Sequence, residues 1–117
     1  MIEDLIARVF LTRNLVHLEH WRTQSFSQHM ALGEFYDAVL ESIDTVVEAY
    51  QGAFELVGPV PVLPPYTGKI LDHLEEEADW IEVNRDKISK RQTAVANLVD
   101  ALIEDYLKVI YKLRNLK

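Results

Sequence analysis

The chain has 117 residues, which is enough for one domain that buries its own core. It has no cysteine, so disulfides, thiolate metal sites and cysteine nucleophiles are excluded. A net charge of −7, from 19 acidic and 12 basic residues, argues against a phosphate-binding surface over the whole molecule.

The start, Met1-Ile2-Glu3-Asp4, is acidic and unlike a signal peptide. No apolar run nears the ~18 residues of a membrane helix, so a cytoplasmic protein without membrane contact is expected. The first helix is predicted from about Ile2 to Thr23, with Leu5, Ile6, Val9, Leu15 and Val16 on its apolar side. Ser25 and Gln28 then have the spacing of a capping box, which starts a second helix. That helix repeats apolar residues at three- and four-residue steps from Leu32 through Phe35, Val39, Ile43, Val46 and Tyr50 to Val57. Gly58-Pro59 stops it.

All four prolines lie between Pro59 and Pro65. Each fixes φ and removes a donor, so residues 58–66 should be extended and reach roughly 25 Å. A third helix is predicted from about Thr67 to Lys87, with Ile70, Leu74, Ala78, Ile81 and Ile88 in register. A fourth begins between Ser89 and Thr93 and carries the stripe Val95, Leu98, Val99, Leu102, Ile103, Tyr106, Val109, Ile110 and Leu113. A tight first turn, a long middle link and a short last turn describe an all-α four-helix bundle with a proline-rich crossover, one domain over residues 1–117. The C-terminal "KVIYKLRNLK" is locally basic, as the helix dipole favours.

Three of the four histidines gather around the first turn: His17, His20 and His29. Folding the first two helices as a hairpin sets His20 opposite His29, while His17 falls opposite Leu32 and Gly33. His20 is therefore the better partner for His29, with His17 in reserve. Two neutral imidazoles make an incomplete metal site, and carboxylates would complete it. Glu34, Asp37, Glu41, Asp44 and Glu48 share one face of the second helix, a pattern that a solvated face also produces. Asp44 follows His29 by fifteen residues, roughly 22 Å along a helix. The two could meet on one ion only across a two-fold axis, which would give two identical sites per dimer.

These residues resemble the Dps mini-ferritins of the ferritin-like superfamily. That family carries a His-Trp pair near the end of its first helix, matched by His20-Trp21. It then has H-x14-D-x3-E, matched by His29, Asp44 and Glu48. The likeness is good over about residues 10–52. It implies a ferritin-like fold and an inter-subunit ferroxidase site, with His20 and His29 from one subunit and Asp44 and Glu48 from its neighbour. It implies iron, mono- or di-nuclear, with zinc as a substitute, Trp21 as an electron donor beside the site, and a homo-oligomer that could reach a dodecamer. Fe(II) would be oxidised by peroxide or oxygen and stored. The match departs from the family in three ways. The first turn is about three residues short if His20 is the ligand. The short helix of the middle link is replaced by prolines. No lysine-rich N-terminal tail precedes the first helix, so DNA binding is not expected. The strings "HW", "ALGEFYDAVLESIDTVVEAYQG" and "YKLRNL" also resemble small tailed-phage proteins, which carry no activity with them and imply host cytoplasm. The alternative is a non-catalytic ferritin-like module for dimerisation.

His73, beside Glu75, Glu76 and Glu77, reads as part of a solvated helix face. Asp100, Glu104 and Asp105 lack the Glu-x-x-His companion of a di-iron site inside one bundle. There is no Gly-rich phosphate loop and no nucleophile with a positioned base.

Overall fold

A computed structural model describes residues 1–117. It has four α-helices and no strand: α1 (Ile2–Arg22), α2 (Phe26–Ala53), α3 (Ile70–Ser89) and α4 (Thr93–Asn115). The Ser25 hydroxyl accepts the Gln28 N–H at 3.3 Å, so the cap read from the sequence starts α2. Gln92 does the same for α4 by accepting the Val95 N–H at 3.0 Å.

Three helix ends differ from expectation. α2 stops at Ala53, four residues before Val57, because the chain turns back and the Gln51 side chain takes the Val57 N–H at 3.1 Å. α3 starts at Ile70 rather than Thr67, with Lys69 extended as its N-cap. It runs on to Ser89, where Ile88 and Ser89 are buried, and turns through Lys90 and Arg91 at positive φ.

α1 packs on α2 and α3, and α4 packs on the same two. Side-chain pairs fix the sense of each contact. Arg8 meets Glu77 and Thr12 meets His73, so α1 and α3 are antiparallel. Ser42 meets Asp105 and Glu34 meets Lys112, so α2 and α4 are antiparallel. Arg85 holds Asp100 and Arg114 holds Glu75, so α3 and α4 are antiparallel. The consecutive helices α2 and α3 are therefore diagonal and parallel. Residues 54–69, which join them, have neither helix nor strand. Near one end the Gly58 N–H donates to the Glu3 carboxylate at 2.8 Å, and near the other Tyr66 packs on His73 with ring centres 4.8 Å apart.

One apolar cluster draws from all four helices, including Leu5, Val9, Leu32, Ile43, Leu74, Ile81, Val99 and Leu102. Burying each such side chain contributes about 1.5–3 kcal/mol before chain entropy is counted. Every predicted apolar position of α4 is buried except Leu98, which packs at the edge. No helix is long and apolar enough to cross a membrane.

His73 is a correction to the sequence reading: it is buried, 4% exposed, and not on a solvated face. Thr12 explains it. It sits in the α1 stripe, fully buried, and its hydroxyl bonds the His73 Nε2 at 2.8 Å. A core position thus becomes available to an imidazole. One turn further along α3, Glu77 is also buried and is met by Arg8 at 2.6 Å. Arg8 in turn lies 4.2 Å over the Trp80 ring.

Candidate functional site: the paired histidines

α1 ends at Arg22, so the His20 carbonyl lies in its last turn, where helix carbonyls lack an intrahelical donor. The imidazole of His29 supplies one. Its Nδ1 lies 2.7 Å from the His20 oxygen, and the His20 Nδ1 lies 2.6 Å from the His29 oxygen. A carbonyl only accepts, so both Nδ1 atoms carry the proton. In the neutral rings both Nε2 atoms are then left with free lone pairs, the form in which imidazole binds a metal. The rings stack with centroids 3.7 Å apart and 17° between planes.

Gly33 makes this possible. A Cβ there would lie 3.0 Å from the His20 Cε1, tighter than an ordinary contact, so a larger residue would press on the ring. His17 was expected opposite Leu32 and Gly33. It instead stacks on Tyr36, with centroids at 4.1 Å and 18° between planes, because the His20 ring already occupies the space over Gly33. Trp21 is 67% exposed, and its nearest aromatic neighbour is His17 at 4.6 Å.

Asp44 and Glu48 are exposed and make no ion pair; of the acids on that face, only Glu34 is paired, with Lys112 at 2.6 Å. Both border a shallow apolar recess with Ile6, Phe10, Val47 and Val57, toward the opposite end of the α1–α2 hairpin from the histidines. Between the two ends lies a second recess lined by Phe10, Arg13, Asn14 and Leu40. Arg13 lies 5.2 Å over the Tyr36 ring, and its buried Nε has no hydrogen-bond partner.

The structure therefore brings His20 and His29 together, with His17 and Trp21 adjoining, and leaves Asp44 and Glu48 apart from them. Within one chain no three ligating side chains gather. A metal bound by imidazole lies in the ring plane about 2.0–2.1 Å from nitrogen. Two rings stacked nearly parallel share no such point, so His20 and His29 as placed would each hold a separate ion. Neither Gly33 nor Tyr36 was among the site residues expected from the sequence. A glycine inside a strongly periodic helix, one turn past His29, was the available signal.

The carboxylates of α4 are engaged elsewhere. Asp100 is held by Arg85 through two bonds, which keeps its carboxyl below the usual range. Glu104 pairs with Lys108. Asp105 accepts from Ser42, and burial pushes its carboxyl up.

Fold and site together define an all-α protein of four antiparallel-packed helices whose first hairpin is closed by a reciprocal imidazole pair. The chain belongs to DUF5856, a family of unknown function, whose model matches residues 20–113. No curated protein and no solved structure matches it.

Proposed function

We propose that the protein is a ferritin-like four-helix bundle, with residues 58–66 as its proline-rich crossover, that binds and oxidises Fe(II) in the manner of Dps mini-ferritins. Two copies would pair across the α1–α2 face. His20 and His29 of one copy would take one Fe(II) each, and Asp44 and Glu48 of the other would supply the negative charge and a bridge. Iron here is the substrate, and peroxide or oxygen is its oxidant. His17 stands in reserve as a ligand, and Trp21, which is exposed and packs on His17, would give an electron. Twelve-fold assembly would store the product. Zinc would occupy the same donors without redox chemistry.

The observation that carries the reading is the pair of fixed Nδ1–H tautomers, which leaves the Nε2 of each ring as a free nitrogen donor. The unpaired acids toward the far end of the same hairpin complement them when one copy is turned end for end. Leu40 and Phe10 between them supply apolar contact.

Complementation between dead chains tests it. His29→Ala and Asp44→Ala should each abolish the ferric absorbance that follows anaerobic Fe(II) loading and peroxide addition. Mixing the two chains should restore about a quarter of the sites, because half of the dimers are mixed and each has one intact site. No recovery on mixing would sink the shared site. A second reading rests on the same hydrogen bonds: the imidazole pair is a staple that caps α1, and the protein is a dimerisation module without chemistry. In that case His29→Ala loosens the hairpin, and wild type takes up no iron.

A further inference from the structure

We propose that residues 58–68 are a preformed polyproline-II ligand, displayed for the aromatic-lined groove of a partner protein. Burial along the segment repeats every three residues. Val57, Val60, Leu63 and Tyr66 are partly buried, while each pair of residues between them is exposed. Three residues per turn is the period of the polyproline-II helix, and four prolines in this stretch hold φ at its value. All peptide bonds are trans, as that helix requires.

A helix with three residues per turn has three edges, and only one is spent on the chain's own core. Val57 and Val60 pack against the apolar cluster, Leu63 borders a cleft with Arg8 and Trp80, and Tyr66 lies on His73. The other two edges face outward. One carries Pro61 and Pro64, and the next carries Pro59, Val62 and Pro65, with Val62 98% exposed. Grooves that read P-x-x-P segments take two adjacent edges of the helix between aromatic rings and leave the third free. The division here is the same, with the free edge turned to the helices.

The chemistry of the occupant follows from charge. Residues 56–68 contain no charged side chain, so the ridge suits an uncharged aromatic groove and offers nothing to an acidic or basic one. Lys69, exposed just beyond the ridge, can meet a carboxylate at the groove's end. The segment is tied at both ends, by the Gly58–Glu3 bond and by Tyr66. Its ordering cost is therefore met during folding and not on binding.

The test uses the 15N-labelled full chain, titrated separately with an isolated SH3 domain and an isolated WW domain. At least one probe should shift the amides of Val60, Val62 and Leu63 and saturate below ~1 mM. Pro61→Ala with Pro64→Ala should weaken that binding about tenfold while circular dichroism stays unchanged and Tm falls by only a few degrees, because both prolines are exposed and their loss mainly frees the unfolded chain. A free peptide of residues 56–69 should bind more weakly than the whole chain. Failure of both probes at ~1 mM would overturn the proposal. So would equal binding by the double variant, tighter binding by the free peptide, or shifts that arise only from self-association.

Discussion

The imidazole of His20 fills the space that a side chain at Gly33 would need: an added Cβ would sit 3.0 Å from its Cε1 and 3.3 Å from its Nδ1. Two effects oppose each other in Gly33→Ala. Alanine favours the helix by about 1 kcal/mol. Crowding a tethered ring costs about 1–3 kcal/mol, since His20 cannot retreat without losing its bond to the His29 carbonyl. The expected outcome is a net loss of about 1 kcal/mol in urea denaturation, with shifted His20 and His29 imidazole resonances in NMR. A gain in stability with an unchanged ring pair would show that the ring has room to give over Gly33.

The buried His73 predicts a pH dependence. Burial, and then the nearby Arg8 charge, hold its pKa below the ordinary histidine value. The groups that meet it are Thr12 on α1, Tyr66 from the link and the Arg8 charge, with Glu77 one turn further along α3. With a folded pKa below the unfolded one, the unfolded chain binds the proton first. The contribution is complete above about pH 6.5 and falls away as pH drops through that value. Stability should therefore decline as pH falls from about 6.5 toward 5.5, before the carboxylates titrate. His73→Gln should flatten that decline, and identical slopes in the two proteins would refute the assignment.

Arg8 and Glu77 form the one ion pair with a buried carboxylate. Burial raises the Glu77 pKa, and Arg8 pulls it back. Removing Arg8 leaves the carboxylate uncompensated, so Arg8→Met should cost about 2 kcal/mol, less than a fully buried pair because Arg8 is partly exposed. Adding Glu77→Gln should recover part of that loss. A double-mutant cycle reads the coupling, and additive losses would mean the pair contributes nothing as a pair.

Tyr106 is fully buried, and its hydroxyl has no hydrogen-bond partner. Burial pushes its pKa up; Thr12 is near enough to offset a little of this, but the contact falls short of bonding geometry. Tyr106→Phe removes the orphan while keeping the ring against Phe35, 5.0 Å away. Thermal unfolding should show a gain of about 1 kcal/mol. A loss would mean that the hydroxyl is satisfied in solution.

The helices were legible wherever one period ran unbroken. The α4 stripe from Val95 to Leu113 and the Ser25 cap needed nothing beyond local chemistry. Helix ends were less so, because Phe54 and Val57 keep the helical spacing although Gln51 turns the chain back. His20 facing His29 followed from hairpin symmetry about the turn. Their stacking did not, since it depends on the missing Cβ of Gly33. His73 was misplaced for a related reason: three neighbouring glutamates look like a solvated face, and the partner that makes it a core residue, Thr12, is 61 positions away. Asp44 and Glu48 were read as sharing one face of the second helix with Glu34, Asp37 and Glu41, and both are exposed.

The threefold rhythm of Val57, Val60, Leu63 and Tyr66 also sets a rule for insertions and deletions. Adding or removing a single residue between Val57 and Tyr66 rotates everything downstream by a third of a turn. Prolines would then swing inward, and anchoring side chains would swing into water. A change of three residues restores the phase and alters only the reach. Length variants of this link should therefore be tolerated in steps of three, a spacing imposed by the strap and foreign to the helices it joins.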